Sequence, residues 1–247
     1  MSALRKTLKK VISLPLSFLK LVPTGSLFNV LILGHKYSLS HLNNFEEYAA
    51  GPIQRDEALL LFALVKTVDP KTIVEFGFLA GHSAKNFLIA MSSDARLYSY
   101  DISEASGKLA MKINDKRFKF ILKSQTEFAP SDVDNRMIDL AFFDAAHDFQ
   151  LNVATFEKLM GSLSERALMV VHDTGAWYGD LKGSRSPEGY FLDRQRGLGY
   201  IHRPDERKFV NYIKETMPDF DQIHFHSTSK FRHGLTILQR NTSPLAL

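Results

Sequence analysis

Cysteine is absent from the 247 residues of this chain, which excludes disulfides and thiolate metal sites. Any metal must therefore be held by oxygen and nitrogen ligands. Nothing in the composition favours secretion, so we predict a cytoplasmic protein. A basic run interleaved with aromatic side chains, typical of a nucleic-acid groove, is also missing, and the net charge is only +4. We therefore expect no nucleic-acid partner. The composition, 45% hydrophobic and 23% charged, is typical of one globular domain with a short appendage.

Acidic residues are missing from the N-terminal segment before Glu46, although lysine and arginine are frequent there. Residues 4–21 carry apolar side chains at helical spacing with lysines on the other face, in a run shorter than the roughly 20 residues of a membrane-spanning helix. Pro15 and Lys20 interrupt the stretch that a cleaved signal peptide needs. We predict a basic amphipathic arm over residues 1–45 that packs on its own domain or on a neighbouring subunit of a homo-oligomer. Peripheral contact with an anionic membrane is the alternative.

Helix and strand patterns alternate from residue 55 onward, which predicts an α/β domain over residues 46–247 with a mostly parallel sheet. Only Thr228 to His233 separate the last two strands, too few residues for a crossover helix, so we expect the last strand to be antiparallel. The predicted helices cover 55–67, 82–92, 104–114, 150–163 and 205–216, and the predicted strands cover 72–76, 97–101, 118–123, 138–143, 167–172, 221–226 and 234–239.

A long stretch without a regular pattern spans residues 174–203 and contains the only tryptophan, Trp177, among several arginines and tyrosines. Irregular stretches of this length are uncommon and often functional. Because it follows the fifth strand, it could cover the active edge of the sheet as a lid. An insertion facing solvent or another subunit is the alternative interpretation.

A glycine turn follows the first strand, with the spacing E-x-G-x-x-x-G formed by Glu75, Gly77 and Gly81. A strand, a glycine turn and a helix place backbone N–H groups where the polar part of a nucleotide-like ligand binds. The first glycine of the dinucleotide motif G-x-G-x-x-G is missing, which disfavours NAD. The carboxylate of Glu75 suits a ligand with an ammonium group. Asp101 ends the second strand, where a carboxylate can accept hydrogen bonds from a ribose diol.

The order VEFGFLAGHS, YSYD and ILKSQ resembles the S-adenosylmethionine site of class I methyltransferases. The resemblance covers about residues 50–240 and implies a doubly wound, seven-stranded Rossmann-like sheet. It implies that Gly77 and Gly81 line the methionine part of the donor, that Asp101 binds the ribose, and that Ser124 and Gln125 flank the adenine. The donor-binding set predicted in this way is Glu75, Gly77, Phe78, Gly81, His82, Ser83, Asp101, Ile102, Ser124, Gln125 and Asp144.

Acidic and histidine residues follow the fourth and fifth strands, in the segments FFDAAHDF and VVHDT. Because carboxyl ends of parallel strands share an edge, Asp144, His147, His172 and Asp173 should gather beside Gly77. A divalent cation held by carboxylates lowers the pKa of an acceptor hydroxyl, and a nearby histidine takes its proton. The ordinary alternatives are a helix cap for Asp144, a surface residue for His147 and a core residue for His172.

This cluster is similar to that of metal-dependent small-molecule O-methyltransferases, and the same pattern occurs in cephalosporin-hydroxylase-like proteins. The D-x-x-H step resembles macrolide-sugar O-methyltransferases, which implies that Asp144 binds metal and His147 is the base. His172 stands where those relatives carry an acid, so the predicted metal set is Asp144, His172 and Asp173. A histidine disfavours Mg²⁺ and favours Mn²⁺, Fe²⁺ or Zn²⁺. We keep Mg²⁺ and Mn²⁺ as the candidates.

Together these features predict S-adenosylmethionine-dependent O-methylation of a hydroxyl on a small or sugar-containing molecule. Two alternatives remain open. One is an oxidoreductase or hydroxylase-like enzyme on the same fold, and the other is a binding protein that has lost catalysis. The identity of the small-molecule acceptor does not follow from the sequence.

Overall fold

The computed structural model describes residues 38–45, 53–145, 147–175, 190–193, 198–201, 205–226 and 234–241. The chain divides into two compact units, Met1–Asn44 and Phe45–Leu247. In the first unit the described part is a short 3-10 helix, Ser40–Asn44. The predicted amphipathic arm otherwise lies outside the described residues, as do Trp177 and most of the predicted lid. Among the described residues, no helix combines the length and apolar character needed to cross a membrane.

The second unit alternates strands and helices as the sequence pattern predicts. The described helices are α1 (Arg55–Val68), α2 (His82–Ala90), α3 (Glu104–Ala110), α4 (Phe149–Leu159) and α5 (Asp205–Thr216). The strands are β1 (Thr72–Phe76), β2 (Arg96–Asp101), β3 (Phe118–Leu122), β4 (Ile138–Phe143), β5 (Leu163–His172), β6 (Tyr190–Asp193), β7 (Leu198–Ile201), β8 (Phe220–His226) and β9 (Gly234–Arg240).

Seven of these strands form one sheet in the order β3-β2-β1-β4-β5-β9-β8. The five strands from β3 to β5 are parallel, and β9 runs antiparallel to both of its neighbours. The predicted seven-stranded, doubly wound sheet with an antiparallel last strand is therefore confirmed. The central strands β1 and β4 are buried on both faces, which explains their continuous apolar sequences.

The register of the sheet decides which side chains meet at its carboxyl edge. Phe76 of β1 lies opposite Tyr100 of β2 and Phe143 of β4, and Phe143 lies opposite Val171 of β5. The residues that follow these four are Gly77, Asp101, Asp144 and His172. The sheet therefore presents them side by side at one level.

Some boundaries differ from the predictions. Strand β5 begins at Leu163 instead of 167, because the polar residues after Leu163 continue the strand across an irregularity in its pairing with β4. Helix α3 ends at Ala110, earlier than predicted, and contains Gly107, which is a weak helix former. Within the stretch predicted to be irregular, β6 and β7 pair as an antiparallel ribbon.

Candidate active site

The turn after β1 is built on a glycine that no other residue could replace without distortion. Gly77 has φ +99°, and its N–H donates to the carbonyl of Tyr100 at 3.0 Å. A Cβ at this position would lie 2.1 Å from the carbonyl oxygen of Asp144. Contacts that close do not occur between real Cβ atoms and backbone, so the missing side chain is what lets the β1 turn approach the end of β4.

Asp101 is fixed in place by two backbone donors. Its Oδ2 accepts from the N–H of Leu79 and its Oδ1 accepts from the N–H of Ser103, each at 2.8 Å. Leu79 reaches this position with a left-handed φ of +48°. Each carboxylate oxygen keeps free acceptor capacity, and Asp101 lines the cavity described next. The geometry suits a pair of adjacent hydroxyls.

A cavity of about 360 Å³ lies in front of these residues. Six of the predicted donor-binding residues line it, and so does the predicted base His147. Gln125, which is buried, is oriented at the wall by a hydrogen bond from its Nε2 to Asn152 Oδ1 at 2.9 Å. The full lining is Gly77, Leu79, Tyr100, Asp101, Ile102, Lys123, Ser124, Gln125, Asp144, Ala145, His147 and Leu151.

The other predicted donor-binding residues do not line this cavity. Glu75 is fully buried beneath the loop, where its carboxylate accepts hydrogen bonds from the hydroxyls of Ser83 and Ser99. Burial raises the pKa of Glu75 to about 7 despite those two donors. Glu75 therefore ties the first turn of α2 to β1 and β2, and we interpret its role as shaping the loop.

Phe78 and Gly81 form a second supporting contact. The Phe78 ring packs against Phe118 and Phe120, and a Cβ on Gly81, which has φ +75°, would lie 2.6 Å from that ring. His82 meets the ring of Phe45 edge-on. Phe78, His82 and Ser83 line a smaller cavity of about 20 Å³, which shares Gly77, Leu79 and Asp144 with the larger one.

The predicted acid–histidine cluster does assemble, and His172 is at its centre. His172 is 3% exposed and hydrogen-bonded at both ring nitrogens: Nδ1 to Asp144 Oδ1 at 2.9 Å, and Nε2 to Glu57 Oε2 at 3.0 Å. Asp173 Oδ1 lies 3.6 Å from Nδ1. Burial alone would lower the pKa of His172, but the three surrounding carboxylates outweigh it and raise this pKa well above its usual value.

His147 forms the second half of the cluster. Its Nδ1 is hydrogen-bonded to Glu206 Oε1, and its Nε2 lies 3.9 Å from Asp173 Oδ2. Burial lowers the pKa of His147, but the hydrogen bond and charge of Glu206 outweigh it, and the net pKa is raised. The second oxygen of Glu206 is buried without a hydrogen-bond partner among the described residues. His147 is therefore a basic imidazole that is oriented by a buried carboxylate and open to the cavity.

Two carboxylates in this cluster, Glu57 and Glu206, are not among the residues that sequence reasoning selected. Burial favours the neutral form of Glu57, but the charge of His172 outweighs it and lowers the pKa of Glu57 to about 2. Glu57 lies on the buried, otherwise apolar face of α1, four residues before Leu61. Glu206 is buried in α5 next to Asp205, three residues before the buried Phe209. An acid at such a position is a sequence signal that could have found them.

The donor set fits a divalent cation. One ligand atom from each of Asp144, His172 and Asp173 lies within 4.8 Å of the others. Separations of 2.9 and 3.6 Å between Nδ1 and the two carboxylates are near those of neighbouring ligands around an ion with bonds of about 2.1 Å. A cation would replace the proton on Nδ1. The cluster contains four carboxylates and two histidines, so its negative charge favours a bound cation.

Comparison with family models finds a match to part of this chain. The family model described as a methyltransferase domain matches residues 74–174, which carry the glycine loop, Asp101 and the acid–histidine segments. No curated protein is similar enough in sequence to be matched to this chain.

Solved structures share the fold at low identity. An O-methyltransferase from Bacillus cereus in complex with S-adenosylhomocysteine is 17% identical with a TM-score of 0.57, over 88% of this chain and 97% of that chain. The O-methyltransferase TomG from Streptomyces achromogenes, in complex with S-adenosylmethionine, is 16% identical with a TM-score of 0.58, over 88% and 96%. A Staphylococcus aureus protein provisionally described as a caffeoyl-CoA O-methyltransferase is 17% identical with a TM-score of 0.61, over 88% and 99%.

Proposed function

We propose that the protein transfers a methyl group from S-adenosylmethionine to a hydroxyl of a small or sugar-containing molecule, assisted by a divalent cation. The premise is the match of residues 74–174 to the family model described as a methyltransferase domain. One observation carries the proposal. Asp144 and His147 line the same cavity as the glycine loop and Asp101, so a donor and an acid–base cluster would share one space. A methyltransfer site needs that adjacency, because the reacting atoms must be held in line about 3 Å apart.

The donor half of the proposal rests on the cavity wall. Gly77 lines the cavity where the methionine part would lie, and its missing Cβ lets the β1 turn pack against the backbone of Asp144. Asp101, fixed by two backbone N–H groups, accepts the ribose hydroxyls. Ile102 offers an exposed apolar side chain and Gln125 an amide to the adenine. Two of the structural neighbours hold the donor or its demethylated product.

The acceptor half rests on the cluster. Asp144, His172 and Asp173 would hold the cation, which supplies the charge that lowers the pKa of an acceptor hydroxyl. His147 takes the proton of that hydroxyl at Nε2, the nitrogen not bonded to Glu206. Glu206 orients the ring and stabilises the imidazolium that forms. Asp144 belongs to both halves, because it lines the cavity and bonds His172.

Calorimetric titration of the full chain with S-adenosylhomocysteine and with NADH, each with and without Mg²⁺, tests the enzyme class. We expect S-adenosylhomocysteine to bind and NADH not to bind. If S-adenosylhomocysteine does not bind at millimolar concentration, the proposal is wrong. Binding of NADH alone would indicate the oxidoreductase alternative.

The residue roles are tested with Asp144→Ala and His147→Ala, once screening of hydroxylated small molecules has found an acceptor. Asp148→Ala is the matched control, because the Asp148 side chain caps α4 by accepting the N–H of Leu151 and has no hydrogen bond or ion pair to the cluster in the part of the chain described. We expect both site variants to lose turnover while the control keeps it. Turnover that survives in both site variants would contradict the cation-and-base mechanism.

A further inference from the structure

Glu57 is a buried carboxylate that the proposed function does not use. It lies in the first turn of α1, 115 positions before His172, and is 6% exposed. Three donors converge on it. Oε2 accepts from His172 Nε2 at 3.0 Å and from the N–H of Gln54 at 2.8 Å, and Oε1 accepts from the N–H of Gly234 at 2.9 Å. Both oxygens are therefore fixed from three different parts of the chain.

This contact decides which nitrogen of His172 faces the other acids. Because Nε2 donates to Glu57, the opposite nitrogen, Nδ1, is the one directed at Asp144 Oδ1 and Asp173 Oδ1. A neutral imidazole carries one proton and one lone pair. Glu57 can accept only a proton, so it retains the proton on Nε2, and the proton that a cation would displace is the one on Nδ1.

We propose that Glu57 is a positioning residue that sets the tautomer of His172, so that Nδ1 is presented to a divalent cation bound between Asp144 and Asp173. This inference rests on the cation in the proposed function and deepens it. Metal-ligating histidines commonly donate their other N–H to a carboxylate, which fixes the ring and increases its basicity as a ligand. The geometry of Glu57, His172 and Asp144 matches that arrangement.

The hydrogen bonds from the backbone of Gln54 and Gly234 hold the Glu57 carboxylate in one orientation. A carboxylate held by one donor could rotate away, whereas Glu57 is fixed by the backbone of its own helix start and by the first residue of β9. The ring of His172 also packs beside Phe142, with ring centroids 6.3 Å apart. Nδ1 is consequently aimed before any cation arrives, which reduces the entropy cost of binding one.

Glu57→Gln tests the inference in the full chain. A glutamine has one acceptor oxygen, and three donors cannot share it. An amide NH₂ facing Nε2 would favour the other tautomer, with a proton on Nδ1 that blocks the cation. We expect Mn²⁺, titrated alone by calorimetry, to bind about 10–100-fold more weakly than to the unchanged chain. Affinity for S-adenosylhomocysteine should change little.

Asp139→Asn is the matched control. Asp139 also accepts two backbone N–H groups, those of Lys71 and Thr72, at the opposite edge of the sheet. It should cost stability and leave Mn²⁺ affinity unchanged. Equal Mn²⁺ affinity in Glu57→Gln and the unchanged chain would overturn the inference, as would equal losses in Glu57→Gln and Asp139→Asn.

A second measurement needs no variant. Long-range ¹H–¹⁵N spectra of the unchanged chain with Zn²⁺ should show His172 protonated at Nε2 and metal-bound at Nδ1. Zn²⁺ on Nε2, or on neither nitrogen, would refute the inference. A chain that binds S-adenosylhomocysteine but neither Mn²⁺ nor Zn²⁺ overturns the role of Glu57 and leaves donor binding intact. A chain that binds the metals with this tautomer but not S-adenosylhomocysteine overturns methyl transfer alone.

Discussion

Replacement of Gly77 by alanine should distort both the cavity of about 360 Å³ and the acid–histidine cluster beside it. The new methyl group would lie 2.1 Å from the carbonyl oxygen of Asp144, 2.6 Å from its carbonyl carbon and 2.8 Å from the Cα of Ala145. All three atoms are backbone, so no side chain can move aside. Either the β1 turn or the end of β4 must therefore shift. A shift of the end of β4 would displace Asp144.

The expected cost has two parts. A non-glycine residue at φ +99° costs about 1–2 kcal/mol. Forcing a methyl group into a packed position costs typically about 1–3 kcal/mol, and the overlap with Asp144 falls at the upper end. We therefore expect Gly77→Ala to lower the free energy of unfolding by about 3–5 kcal/mol.

Urea unfolding at pH 7 and calorimetric titration with S-adenosylhomocysteine measure the two effects. Gly161→Ala is the control, because a Cβ there meets nothing within 4 Å and Gly161 is not in the left-handed region. It should change the free energy of unfolding by less than about 1 kcal/mol. If Gly77→Ala unfolds within about 0.5 kcal/mol of Gly161→Ala and binds S-adenosylhomocysteine equally well, the account of this loop is wrong.

Three further changes test the site. Burial raises the pKa of Glu75 to about 7, above its value in the unfolded chain. The folded state therefore binds the carboxyl proton of Glu75 more tightly than the unfolded state, so the free energy of unfolding falls as pH rises from about 4.5 to 7. In Glu75→Gln the decrease in the free energy of unfolding between pH 5 and pH 8, measured with urea, should be smaller by up to about 3 kcal/mol. Glu206→Gln should lower the pKa of His147, because a neutral amide replaces the carboxylate that raises it, and titration of the imidazole by NMR measures the shift. Asp101→Asn should weaken S-adenosylhomocysteine binding about 10–100-fold by removing a charged acceptor worth about 1.5–3 kcal/mol, measured by calorimetry.

Each of these expectations has a clear contrary result. An identical pH dependence of unfolding in Glu75→Gln and the unchanged chain would show that Glu75 is ionised throughout this range. A pKa of His147 that stays the same in Glu206→Gln would remove Glu206 as its partner. Undiminished binding in Asp101→Asn would place the ribose elsewhere. The pH 5 measurement serves as the internal control for Glu75, because at that pH the folded state holds the proton and the charge is absent.

The sheet was predictable because its central strands are buried on both faces and therefore appear as short, continuous apolar runs. The glycine loop was predictable for a related reason. Gly77 must approach Asp144 closely, and a glycine directly after a buried strand reports that constraint in the sequence. The gathering of Asp144, His172 and Asp173 followed from the rule that parallel strands end at one edge.

Other parts could not be predicted from local patterns. The Glu57–His172 contact joins residues 115 positions apart, and it exists only because the tertiary structure places the start of α1 at the carboxyl end of β5. Glu75 was expected at the ligand, but Ser83 and Ser99 occupy its carboxylate, and only the tertiary structure brings those hydroxyls beneath the loop. The polar start of β5 lacked an apolar pattern and was predicted to lie outside the strand.

The hydrogen bond from Gly234 to Glu57 joins residues 177 positions apart in a chain of 247, and this separation affects the order in which the site assembles. A chain is made from its N-terminus, so α1 and the four strands that carry the glycine loop and the acids exist well before β9 does. Until β9 pairs with β5, Oε1 of Glu57 lacks the N–H of Gly234 as a donor, and the edge of β5 that faces away from β4 is unpaired. Contacts between such distant residues form late, because closing the loop between them costs entropy first. The last inner strand to be synthesised therefore supplies the final donor to Glu57, and we expect a nascent chain to complete the acid cluster only when its sheet is finished.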